Sequence, residues 1–294
     1  MQWSGKTGGT TWMQRALVGI FRHTDVRIIY GVMSVWLVWY LIVRPSATRA
    51  VYRFHRRHRL RSIWAACIDT YRSYYNFGEA IMDRFAAFAG QDFRIEVEGG
   101  AVCEPLMLQD EGLIMLFSHV GNSEMAGYCL HMPHKRMNVL AYMAETETVT
   151  QNRVEALAKN NLRMIPIYAN SMSHVYAVGE ALSNGEIVAM AADRMTDNNH
   201  IACRFWGEEA YLPAGPFRLC VAAKKAMLLV FVLKTRWDTY RVHAEELHIP
   251  DGCHSRAEQA AALAQVYAER LEAMAKRYPY QWFNFYDFWD KTCI

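Results

Sequence analysis

Proline and glycine are sparse in these 294 residues, eight and seventeen respectively, which excludes a collagen-like repeat or a low-complexity tract. Charged residues reach only 21% against 52% hydrophobic, so the chain is not a disordered one; it has enough apolar surface to offset its ordering entropy. The seven cysteines (Cys67, Cys103, Cys129, Cys203, Cys220, Cys253, Cys293) are odd in number, scattered and never spaced CxxC. That argues against a disulfide framework and a zinc ribbon, and fits reduced thiols in a cytosolic compartment. There is no Walker loop, helix-turn-helix signature or RNA-binding motif, and no Gly-x-Ser-x-Gly elbow. The length suits one large α/β domain, or one with an added helical segment, able to bury a core without staples.

Acidic residues are almost missing from the first 62 positions. Eleven Lys/Arg stand there against Asp25 alone, a local charge of +10, and the rest of the chain carries −7. A basic, aromatic-rich segment (1–62) ahead of a mildly acidic body (63–294) points to an anionic surface, and charge alone suits phospholipid or nucleic acid. Ile28 to Val43 is sixteen residues without a charge, flanked by Arg27 and Arg44. As a helix it reaches ~24 Å, short of a ~30 Å hydrocarbon core. Tyr30, Trp36, Trp39 and Tyr40 favour the lipid–water boundary. The run starts too late for a signal peptide and no clean cleavage site follows. A core helix and a tilted or partly inserted anchor both remain open. Arg53, Arg56, Arg57, Arg59 and Arg61 favour the anchor.

Leu60 to Ala89 has helical spacing, with a break expected at Asn76-Phe77-Gly78. Beyond it the period alternates. Strands are predicted at Phe93–Glu98, Gly112–Ser118, Asn138–Met143, Arg163–Tyr168 and Ile187–Ala192, with Ala226–Lys234 and Thr239–Glu246 as a pair. Helices are predicted from Asn122 to about His131 and at Val149–Asn161, Val175–Ser183, Phe217–Ala223 and Ala257–Arg277. The last carries Leu263, Val266, Tyr267, Leu271, Met274 and Tyr278 on one stripe. The expected fold is α/β, a mixed, mostly parallel sheet flanked by helices, with an N-terminal helical membrane-associating segment.

Chemistry concentrates at Phe117-Ser118-His119-Val120-Gly121-Asn122-Ser123-Glu124. A buried strand ends there, at the edge where open α/β sheets bind ligands. A histidine beside a helix N-terminus is held neutral, as a base must be. His119 and Glu124 are about 140° apart on a regular helix, so they meet only if His119 lies on the turn that Gly121 permits. Glu124 would then fix the ring tautomer; otherwise His119 is a capped loop residue. Asp193-Arg194 closes another strand. Pro213-Ala214-Gly215 leads into a helix with Arg218 in its first turn, where backbone N–H groups suit an anion. Each of these alone also reads as a surface ion pair or an ordinary turn. Ser123 as nucleophile lacks the elbow, and His119, Glu124, His131 and His134 lack HExxH or HxxxH spacing, so no metal is expected.

Together these segments resemble the lysophospholipid acyltransferase superfamily, and most nearly the bacterial lipid A late acyltransferases (lauroyl and myristoyl transferases). The family signature, His then four residues then Asp or Glu, stands as His119-Val120-Gly121-Asn122-Ser123-Glu124, with Ser123 where the family commonly has Trp. Asp193-Arg194, Phe205-Trp206-Gly207, Pro213-Ala214-Gly215 with Arg218-Leu219, and the stretch Tyr278-Pro279-Tyr280-Gln281-Trp282-Phe283-Asn284-Phe285-Tyr286 are similar to its later blocks. The resemblance implies acyl transfer from an acyl carrier protein or coenzyme A thioester to a hydroxyl or amine of a lipid acceptor, with no other cofactor. His119 would be the general base and Glu124 its orienting partner. Asn122, Arg194 or Arg218 would stabilise the oxyanion or bind acceptor phosphate or carboxylate, with Asp193, Gly215 and Arg153 also at the substrate. It implies the cytoplasmic face of a bacterial inner membrane, an anionic membrane surface as partner and no nucleic acid. The rival class is a non-catalytic protein docking on membrane or nucleic acid through its basic arm.

Overall fold

The computed structural model describes residues 11–129, 135–142, 161–168, 173–195 and 199–289. Four helices come first: α1 (Thr11–Phe21), α2 (Val26–Val43), α3 (Pro45–Arg57) and α4 (Ile63–Phe88). Asp25 caps α2 by accepting from the Arg27 N–H, and Ser62 caps α4 by accepting from the Ala65 N–H. Pro45 opens α3, where its missing N–H costs little. The break expected at Asn76-Phe77-Gly78 is absent, and α4 runs straight through it. Gly78 serves a different purpose: a Cβ there would lie 2.4 Å from Met33 Sδ, so the missing side chain lets α2 approach α4 closely.

The body follows as β1 (Arg94–Glu98), α5 (Gly100–Leu108), β2 (Leu113–Gly121), α6 (Ser123–Cys129), β3 (Met137–Tyr142), β4 (Leu162–Ile167), α7 (Ser173–Ser183), β5 (Ile187–Ala191), β6 (His200–Phe205), β7 (Glu208–Pro213), α8 (Ala214–Ala223), β8 (Ala226–Arg236), β9 (Thr239–Leu247) and α9 (Arg256–Arg277). Of the helix predicted at Val149–Asn161, residues 149–160 lie outside the described residues, and Asn161 is a turn residue at positive φ. Seven strands form one sheet in the order β1-β9-β8-β2-β5-β3-β4. Every neighbouring pair is parallel except β8 with β9, so the sheet is mixed and mostly parallel, as the sequence predicts. Alternating residues of β2 feed the two faces: Ile114 and Leu116 join one core, Leu113 the other. The predicted stripe of α9 buries Leu263, Tyr267 and Leu271 in the first of these cores.

Two strands were not predicted. β6 and β7 form a separate antiparallel hairpin closed by Trp206 and Gly207, both at positive φ. Two consecutive left-handed residues make the tight turn whose twist matches its strands.

Arg53, Arg56, Arg57, Arg59 and Arg61 of the basic arm are engaged by the protein itself. Arg59 and Arg61 reach the buried carboxylate of Asp69 at 3.1 and 2.8 Å. Arg57 pairs with Glu208 at 2.9 Å, Arg56 donates to the Arg61 carbonyl, and Arg53 lies 3.9 Å from Asp287. Much of the charge that reads as lipid-facing in the sequence therefore docks α3 onto α4, the hairpin and the 284–289 segment. A second polar cluster is largely internal. Asp83 on α4 accepts from the Tyr30 and Tyr240 hydroxyls and from Lys234 Nζ at 2.7 Å, with Glu79 3.6 Å from the same ammonium. Burial pushes the Asp83 and Glu79 carboxyls up, and Lys234 opposes that push.

The carboxyl end of β2 is where the sheet becomes irregular. Phe117 stands opposite Val230, yet Gly121 stands opposite Val232, so four steps of β2 cover two of β8. Residues 118–120 swing off β8 and pair with a later segment instead. Phe283 N–H donates to His119 O at 2.9 Å, and Gly121 N–H donates to Gln281 O at 2.7 Å. The Gln281 amide satisfies the strand that was left, accepting from Lys234 N–H at 2.9 Å and donating to Lys234 O at 2.8 Å. Gly121 has φ +77°, and a Cβ there would lie 2.0 Å from Val232 O. Gly121→Ala should therefore cost about 3 kcal/mol of stability, read from urea unfolding of the purified protein.

Candidate active site

The parallel register of β2 and β5 builds the site. Phe117 sits beside Ala191, so two residues further His119 comes alongside Asp193. Asp193 holds the histidine at two points. Its Oδ2 accepts the His119 backbone N–H at 2.7 Å, and its Oδ1 lies 2.7 Å from the ring Nδ1. A carboxylate there selects the tautomer with the proton on Nδ1 and leaves the lone pair on Nε2. Asp193 is 2% exposed, whereas the His119 side chain keeps 32% of its accessibility. Nε2 has no hydrogen-bond partner among the described residues and reaches solvent.

The electrostatics agree with a base. Burial lowers the His119 pKa, and Asp193 only partly restores it, so the ring is neutral at neutral pH. Burial raises Asp193, but the His119 ring, its hydrogen bonds and Arg194 together outweigh that and leave the carboxyl lowered and ionised. Support comes from further away too: Tyr267 on α9 donates to Phe117 O at 2.9 Å.

The partner expected for His119 was Glu124, and the structure assigns the ring nitrogen differently. His119 lies inside β2 rather than on a turn before α6. Glu124, in the first turn of α6, accepts from Arg84 Nη1 at 3.1 Å and makes no hydrogen bond to the ring among the described residues. Its charge is still near enough to favour the imidazolium. Asn122 is buried and acts as a cross-link: its Nδ2 donates to Ala80 O at 2.9 Å and lies 3.5 Å from the Tyr240 hydroxyl. Arg194 donates from Nη2 to Phe283 O at 2.7 Å, tying down the segment that pairs with β2. Arg218 is exposed on α8, bonded to Asn199 Oδ1 at 2.9 Å, and Gly215 is exposed one turn before it. The Ala214 N–H in that turn donates to Asn199 O. Arg153, His131 and His134 lie outside the described residues. Of the residues singled out in the sequence, the structure brings His119 and Asp193 together, whereas Glu124 meets Arg84. Gln281 and Phe283 were visible only as part of a family block, and Arg84 gave no signal.

An imidazole steadied by a buried carboxylate at the carboxyl end of a parallel strand, with its second nitrogen open, is an arrangement chemically able to accept a proton where α/β sheets bind ligands. Comparison with known sequences gives the family. Residues 72–291 match the family described as bacterial lipid A biosynthesis acyltransferase, and the chain belongs to it. The phosphatidylinositol mannoside acyltransferase of Mycobacterium tuberculosis (H37Rv) is 23% identical over 171 residues, covering 58% of this chain and 52% of the relative. That of Mycolicibacterium smegmatis is 21% identical over 171 residues, covering 58% and 54%. The match spans about half the length of these curated relatives.

Proposed function

We propose that the protein is a membrane-associated acyltransferase that moves a fatty acyl chain from a thioester of acyl carrier protein or coenzyme A to a hydroxyl or amine of a lipid acceptor. The observation that carries this reading is the open Nε2 of a neutral His119 whose Nδ1 is held by the buried Asp193. His119 Nε2 takes the acceptor's proton as its oxygen or nitrogen forms a bond to the thioester carbonyl carbon. The C–S bond breaks, and the departing thiolate is protonated by the imidazolium. Asp193 stays ionised and stabilises that cation, and Glu124 adds a second negative charge nearby. Family membership supports acyl transfer, and the relatives' name, a phosphatidylinositol mannoside acyltransferase, favours an amphiphilic acceptor carrying sugar hydroxyls. The apolar outer face of α2 supports a place on a membrane, in this reading the cytoplasmic face of a bacterial inner membrane.

The test offers palmitoyl-coenzyme A and an acyl carrier protein thioester to the purified full chain with a detergent-dispersed bacterial lipid extract. Thiol release and acylated product are read by absorbance and mass spectrometry. Transfer by the wild type and a loss of at least about 10³-fold in His119→Ala are expected. No transfer from any acyl thioester would sink the reading. Because burial lowers the His119 pKa, kcat/KM should stay level through neutral pH. It should fall only on the acid side, with a midpoint below the ~6.5 of a free imidazole. A midpoint above that value would mean that His119 is not the titrating base.

A further inference from the structure

Helix α2 has two unlike faces. Val26, Tyr30 and Leu37 are buried, and Leu41 packs beside them against α4. The opposite face carries Ile28, Val32, Val35, Trp36, Trp39, Ile42 and Val43, all exposed, with Val35 and Ile42 near three-quarters accessible. The helices run antiparallel, since Tyr30 meets Asp83 near the end of α4 while Ser34 O accepts from the earlier Tyr71 hydroxyl. Trp64 and Ile68 lie seven and three residues before Tyr71, on the stripe of α4 that faces α2. They project where α2 ends, and both are exposed, Trp64 by 81%. The outer face of α2 and this end of α4 are therefore both apolar and exposed.

We propose that α2 lies flat in one leaflet of a lipid bilayer, its outer face and the Trp64–Ile68 corner sunk to the acyl boundary, and does not cross the membrane. This rests on the membrane association proposed above and gives it an orientation. Eighteen residues span about 27 Å, against the ~30 Å of a hydrocarbon core. More decisively, α2 is fastened along its length. Asp83 and Lys234 hold the Tyr30 hydroxyl, Tyr71 holds Ser34 O, and Gly78 seats Met33. Crossing would carry α4 into the hydrocarbon with Asp69, Arg72, Asp83 and Arg84, each costly there. Lying flat asks for one apolar face, aromatic residues at the boundary and basic residues beside it. Trp36, Trp39, Tyr40 and Trp64 supply the aromatics, and the exposed Arg22, Arg44 and Arg49 complement an anionic leaflet.

A fluorescent unnatural amino acid placed singly at positions 28, 35 and 42 of the full chain measures depth. The vesicles are 3:1 phosphatidylethanolamine and phosphatidylglycerol, with lipids brominated at graded depths as quenchers. All three probes should report one shallow depth. A depth that passes through the midplane between 28 and 42 overturns the proposal. So does failure to bind vesicles, or shielding of the probes without lipid in a concentration-dependent dimer. The double variant Val35→Glu/Ile42→Glu should reduce vesicle binding at least tenfold, with thiol release on detergent-dispersed acceptor unchanged. If the wild type releases no thiol, the acyltransferase reading fails, while the depth measurement still decides the orientation.

Discussion

Asp193→Asn is expected to lower kcat/KM by about 10²–10⁴-fold, with KM nearly unchanged. Two donors converge on this carboxylate, the His119 N–H and the Nδ1–H, and each takes one oxygen. An asparagine offers one acceptor and an NH2 group. If its oxygen faces the backbone, the NH2 meets Nδ1 and drives the ring proton to Nε2, where it blocks the base. If its oxygen faces Nδ1, the backbone N–H is left against a donor in a buried site. Glu124→Gln should cost less, because Glu124 acts through its charge and through Arg84 rather than on the ring nitrogen. Steady-state thiol release for the two variants decides the order. A larger loss for Glu124→Gln would restore it as the orienting partner.

The largest stability effect is expected at the internal cluster. Asp83→Leu should cost about 3–5 kcal/mol in urea unfolding, because Lys234 Nζ would lose its 2.7 Å carboxylate partner, and the Tyr30 and Tyr240 hydroxyls would lose their acceptor. Asp83→Leu/Lys234→Met should recover most of that loss, since apolar groups of similar size remove the uncompensated charge. If the double variant is no more stable than the single one, the pair is not the source of the effect. The cluster also borders the site, because Tyr240 contacts Asn122 just beyond His119.

Periodicity alone located most of the sheet. β2, β5, β8 and β9 were legible because continuous apolar runs or alternation mark them, and α9 because its stripe repeats every three to four residues. Strand order was not legible. His119 and Asp193 meet only because β5 inserts between β2 and β3 and pairs in register with β2. Nothing in a linear pattern states which strands are neighbours. The His119 to Glu124 spacing suggested the nearer carboxylate, whereas the one that bonds the ring Nδ1 stands 74 positions away. The same holds for Asp69 with Arg59 and Arg61, whose charges look solvent-directed when read along the chain. The hairpin at Trp206-Gly207 was missed because HIACRF and EEAYLP carry no clean apolar alternation and the turn lacks the Asn-Gly or Asp-Gly signature.

The swing of residues 118–120 away from β8 has a temporal consequence. The backbone that grips His119 and Gly121 belongs to Gln281 and Phe283, which emerge from the ribosome some 160 positions later. Until that stretch has been translated, the backbone at His119 and Gly121 lacks both of these partners, so the strand end that carries the imidazole completes its hydrogen bonding only when nearly the whole chain has been made.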